Sequence, residues 1–189
     1  MKNILLAALL AFSASAFAAG DYKAFITVEG TNENIHGTSN DINGFNLIPG
    51  VKFTNGVTVD LKTQLQRTEN VKTNDEGIEA RVRYDYALGA TGLTAWGRLG
   101  IGERVVTGDT FGYYTVEPGV TYEINKQSTV FVSDRYRDAF ANGKVFKTNT
   151  VYVGTGYSVT DVDVVSAKLY RKYEDVTSNG VELSYTRLF

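Results

Sequence analysis

From Val57 the chain changes character residue by residue: Val57, Val59, Leu61, Thr63 and Leu65 share one side of a two-residue period, while Thr58, Asp60, Lys62, Gln64 and Gln66 share the other. The alternation returns with Ile78, Ala80, Val82, Tyr84 and Tyr86 against Glu79, Arg81, Arg83 and Asp85. It closes the chain, where Val181, Leu183, Tyr185 and Phe189 oppose Glu182, Ser184 and Thr186. Runs of this kind, bounded by turn residues, predict about ten strands. They lie near 22–30, 42–54, 57–68, 76–87, 93–105, 111–124, 129–140, 145–158, 162–173 and 181–189. The connections alternate between tight (55–56, 88–92, 125–128, 158–161) and longer and polar (31–41, 69–75, 106–110, 141–144, 174–180). A strand with one apolar side needs a cover, and no segment reads as a helix that would supply it. Lipid supplies it instead. The pattern predicts an all-β fold, a closed up-and-down antiparallel transmembrane β-barrel of about ten strands, with both termini at the tight-turn end.

A repeat supports that count. Strands running toward the tight turns end in an aromatic residue at Phe53, Tyr86, Tyr122, Tyr157 and Phe189, and two of them share a pattern, Pro49-Gly50-Val51-Lys52-Phe53 and Pro118-Gly119-Val120-Thr121-Tyr122. Intervals of about 32 to 36 residues fit one hairpin per repeat, and the aromatics would form half of an interfacial girdle. Asp134, on the apolar side between Val132 and Tyr136, predicts a bulge or a shift of register. Pro49 and Pro118 each remove a ladder donor from a sheet that should have no free edge.

The front of the chain adds export. Lys2, an apolar run from Ile4 to Phe12 and Ala16-Phe17-Ala18 read as a secretory signal peptide over residues 1–19, leaving 20–189 as one barrel domain. With Cys 0 there is neither a lipoprotein anchor nor a disulfide framework. The mean hydropathy of -0.16 fits a barrel, since only alternate residues touch lipid. A net charge of -2 with no basic stripe argues against nucleic acid as a partner.

The inward side carries more base than acid: Lys23, Lys52, Lys62, Arg81, Arg83, Arg98, Arg104, Arg135, Arg137, Lys168 and Lys172 against Glu29, Asp60, Glu79, Asp85, Glu117, Glu123 and Glu182. Either these charges line a pore with a weak preference for anions or acidic sugars, or they pair and plug the interior. Glycines assigned inward at Gly100, Gly102, Gly112, Gly119, Gly154 and Gly156 leave room and favour a narrow passive channel for small solutes. The alternative is a non-conducting barrel with a structural or adhesive role through its outside loops. No enzyme, cofactor or metal is expected: His36 is the single histidine and falls in a loop. The acidic residues Asp75, Glu76, Asp109, Glu174 and Asp175 read as solvated loop tips.

A closing strand that ends in Phe189 resembles the C-terminal strand of bacterial outer-membrane β-barrel proteins, although Arg187 stands third from the end where that family carries an apolar or aromatic residue. The resemblance implies an outer-membrane location reached through the periplasm, tight turns on the periplasmic side, a monomer surrounded by membrane lipid and lipopolysaccharide, and Tyr185 and Phe189 as the signal for the barrel assembly machinery. The run Ser133-Asp134-Arg135-Tyr136-Arg137-Asp138 is similar to the Arg-Tyr-Arg strand of oligogalacturonate-specific and sialic-acid-inducible monomeric porins. That second resemblance implies a basic lumen for acidic sugars.

Overall fold

The computed structural model describes residues 22–38, 40–69, 73–106, 109–140 and 147–189. The signal peptide expected at 1–19 lies outside them. The strands are β1 (Tyr22–Ile35), β2 (Asp41–Phe53), β3 (Val57–Thr68), β4 (Thr73–Ala87), β5 (Leu93–Val106), β6 (Asp109–Glu123), β7 (Ser128–Ala139), β8 (Thr148–Ser158), β9 (Asp163–Tyr173) and β10 (Ser178–Leu188). Each pairs antiparallel with its neighbours in sequence, and β1 pairs with β10, so the sheet closes into a barrel. Closure satisfies the backbone within the sheet, as lipid requires.

Several strands outrun their predicted ends on the long-loop side. β1 continues to Ile35, held by Asn32 Nδ2 donating to Asn43 Oδ1 at 2.9 Å and Asn34 Nδ2 donating to Asp41 Oδ1 at 2.8 Å. Both faces of the sheet are polar there, so pairing persists after the apolar period has stopped. At the other end, Gly56 turns the chain with φ 87, and a Cβ there would lie 2.6 Å from the Asp85 carbonyl oxygen. Phe53, Tyr86, Tyr122, Tyr157 and Phe189 all stand at this tight-turn end on the outward face, as the repeat predicts.

The prolines and Asp134 need no bulge. Between β6 and β7 the register is the same at Val116↔Tyr136 and at Gly119↔Ser133, with the intervening rungs absent where Pro118 cannot donate. Pro49 interrupts β2 and β3 in the same way, between Leu47↔Thr63 and Gly50↔Asp60. Each proline keeps its place on the other flank, at Ile26↔Pro49 and Gly97↔Pro118. Asp134 therefore stays in register and faces outward beside the Pro118 gap. The expected register shift does not occur, because only the rungs at the proline are lost.

The inward glycines are covered, which corrects the expectation of open volume. Gly50, Gly119 and Gly154 lie directly opposite Phe25, Trp96 and Phe131, and Gly102 and Gly180 opposite Tyr113 and Tyr170. A Cβ at Gly119 would lie 2.3 Å from the Trp96 ring, and one at Gly154 2.4 Å from Phe131. Each ring lies across the strand on the surface that the missing side chain vacates. Gly100 is occupied in the same sense by the Glu79 carboxylate and the Thr115 hydroxyl, and Gly156 by Thr129. Gly112 does not face inward at all: it lies under Phe140 on the outer surface, because the inward residues of β6 are the odd-numbered Tyr113, Thr115 and Glu117.

Candidate functional site

Alternation on closed strands collects the charged side chains in the lumen, where water is scarce and each charge needs a partner. Lys52, Lys62, Arg81, Arg83, Arg98, Arg104, Arg135, Arg137, Lys168 and Lys172 all line it. Lys23 and Glu123 keep the inward side of the alternation but are exposed at the rim.

At the tight-turn end, Arg83 Nε donates to Asp85 at 2.6 Å, Lys52 stands 3.7 Å from the same carboxylate, and Arg98 is 3.2 Å from Glu117. Trp96 lies among them and donates from Nε1 to the Thr121 hydroxyl at 3.0 Å. The middle is denser. Glu29 accepts from Lys62 and Lys168, each at 3.0 Å, and from Asn46 at 2.6 Å. Lys168 also pairs with Glu182. Arg81 Nε donates to Asp60 at 2.5 Å, and Glu79 accepts from Arg135 at 2.5 Å and from Thr115 at 2.6 Å. Toward the long loops, Glu33 holds Lys172 at 2.5 Å and accepts from Ser178 at 2.6 Å and Tyr170 at 3.1 Å. Arg104 pairs there with Asp75, and Arg137 and Lys172 each stand 3.6 Å from Glu174.

Glu33 and Asp75 were assigned to loops by the alternation argument, yet both are inward strand residues. The signal for Glu33 was present: it continues the parity of Thr27 and Glu29 on β1. With them added, the basic excess shrinks and the lumen becomes a nearly neutral lattice of ion pairs, most of them between strands. Arg83 and Arg98 still sit directly opposite each other on β4 and β5.

Among the described residues two cavities stand out. The one at the tight-turn end is about 410 Å3, and the one toward the long loops about 50 Å3, room for a water or two. Both are lined by Lys62, Arg135, Tyr152 and Glu182, which stand where the two adjoin. Outside the lumen, Tyr185 donates to Asp163 at 2.6 Å, Arg187 lies 3.2 Å from the same carboxylate, and the Phe189 backbone N–H donates to the Ala24 carbonyl at 2.8 Å.

Comparison with known proteins agrees with this architecture. The profile of the outer membrane protein beta-barrel domain matches residues 4–158. No curated protein sequence matches the chain. Among solved structures, the beta domain of the Bordetella autotransporter BrkA is similar at TM-score 0.57 and 8% identity, covering 89% of this chain and 100% of that one. The translocator domain of the autotransporter NalP from Neisseria meningitidis is similar at 0.51 and 10%, covering 100% and 96%. A KdgM porin solved in complex with disordered oligogalacturonate is matched at 0.47 and 11%, covering 89% and 99%. With a closed antiparallel barrel on the page and a family profile spanning most of its length, this chain belongs to the outer-membrane β-barrel protein family.

Proposed function

We propose that the protein is a non-enzymatic outer-membrane barrel with a sealed lumen, which spans the membrane without passing solutes and acts through its extracellular loops. What supports this reading is that the outer and inner cavities have Lys62, Arg135, Tyr152 and Glu182 in common in their linings, a layer of charged and aromatic side chains that forms a partition on this reading. The Glu29–Lys62, Glu29–Lys168 and Glu79–Arg135 pairs around it tie together strands that are not neighbours in the sheet. On this reading the chain is exported with residues 1–19 removed, inserts as a monomer with Tyr185 and Phe189 presented to the assembly machinery, and meets lipopolysaccharide with its loops. Planar-bilayer recording of the refolded protein tests it. No current steps at any voltage are expected, and reproducible steps overturn it.

A second reading, a narrow channel with a weak preference for anions or acidic sugars, is favoured by Arg104, Arg137 and Lys172 around the outer cavity and Lys52, Arg83 and Arg98 around the inner one. It requires the partition to open. Under it, Arg83→Gln with Arg135→Gln shifts the reversal potential toward cations. Under the sealed reading the same pair of changes conducts nothing and lowers the unfolding midpoint.

A further inference from the structure

The inner cavity is lined by apolar side chains, Phe25, Ile48 and Phe131 among them, and by the cations Lys52, Arg83 and Arg98, the two arginines lying against Trp96. Charge is out of balance at this level, since Lys52 and Arg83 share Asp85 while Arg98 has Glu117: three cations divide two carboxylates. Arg83 and Arg98 are direct cross-strand partners, an arrangement that repels unless an anion lies between them. Both guanidinium groups lie over the face of Trp96, at 4.0 and 5.6 Å from its ring centroid. Arg98 Nε is buried with no acceptor, the kind of donor that is costly to leave unmet. At about 410 Å3 the space has the size of a small-molecule site, and its lining mixes charged and polar side chains with apolar ones.

We propose that this cavity binds a small organic monocarboxylate from the periplasmic side, its carboxylate between Arg83 and Arg98 and its apolar body against Phe25 and Ile48. The single negative charge balances the spare cation, and an apolar body fills what a simple inorganic anion would leave empty. The site is a blind pocket beneath the partition, so binding is independent of conduction.

Trp96 is the only tryptophan in the chain and lies in the cavity wall, so its fluorescence reports on this site alone. The protein, refolded into neutral phosphatidylcholine vesicles, is titrated with 4-phenylbutyrate, and with 4-phenylbutanol and 4-phenylbutylamine as neutral and cationic counterparts. A saturable change in Trp96 emission is expected for the acid alone. Its affinity falls about tenfold in Arg83→Gln with Arg98→Gln, and less in Lys52→Gln, the size expected for a lost charge-assisted hydrogen bond. Val164→Phe fills the cavity from an uncharged wall position and abolishes the change, and it keeps the test decisive if the arginine variant does not fold. Equal responses to all three probes, no saturable response, or an unaltered response in Val164→Phe overturn the proposal. Bilayer recording returns its own answer, so either idea can fail while the other stands.

Discussion

The middle of the lumen and its tight-turn third are built by the same strands with the same alternation, yet one is filled and the other is hollow. In the middle, several long charged chains join strands that do not touch: Lys168 of β9 reaches Glu29 of β1 across the intervening β10, and Arg135 of β7 reaches Glu79 of β4. In the tight-turn third, Phe25, Trp96 and Phe131 lie on glycines of the adjacent strand and reach no further. What closes a narrow barrel is therefore the reach of its inward side chains. A large ring laid along the wall leaves more space than a thin chain stretched across it.

The sharpest way to break this contrast is Glu29→Ala, which leaves Lys62 and Lys168 buried without their shared carboxylate. Stability should fall by about 3 to 5 kcal/mol, read as a lower urea midpoint for the barrel folded in lipid vesicles. An unchanged midpoint would mean that ion pairs do not hold the middle together. Gly154→Val attacks the other region, since its new Cβ meets the Phe131 ring at 2.4 Å and the Ala167 carbonyl oxygen at 2.8 Å. The ring must swing into the cavity, at about 1 to 3 kcal/mol. If the midpoint does not move, the glycine was not a seat for the ring.

A smaller effect of opposite sign is expected outside. Asp134 presents on the lipid face the same carboxylate chemistry that Glu29 presents within, and Asp134→Val should raise the midpoint by about 1 kcal/mol, since lipid charges an acidic group less than the ~2 to 4 kcal/mol it exacts from Lys or Arg. The smallest change should come from deleting a pair whole. Asp60→Leu with Arg81→Met removes both members at once, and stability should move by roughly 0 to 1 kcal/mol in the stabilising direction. A large loss in that double variant would show the central pairs to be worth more than well-packed apolar replacements.

Much of the scaffold could be read from the residues, because lipid enforces a strict rule: every strand in it must be apolar on one face. That rule made the strand series and the inward position of each lumen cation legible. It lapses above the bilayer, where Asn32, Asn34, Asp41 and Asn43 pair across strands without any apolar period, and so Glu33 and Asp75 passed for loop residues. The glycines misled for a related reason. Gly119 reads as an absent side chain, and only the register that sets it opposite Trp96 turns that absence into a filled seat. The central ion pairs were equally hidden, since Lys62 meets Glu29, and Arg135 meets Glu79, only through the closure of strands that are not neighbours in the sheet.

The gaps at Pro49 and Pro118 bear on how the barrel moves. They fall on the β2/β3 and β6/β7 joints, so around the ring they part a stave of β3 to β6 from a stave of β7 to β10 with β1 and β2. The joint where the chain ends meet is unbroken from Phe25↔Leu188 to Ile35↔Ser178. A wall with two softened joints flexes at those joints, its cross-section moving between round and oval, and amide deuterium exchange will enter first beside the prolines rather than at the closing seam of β1 and β10.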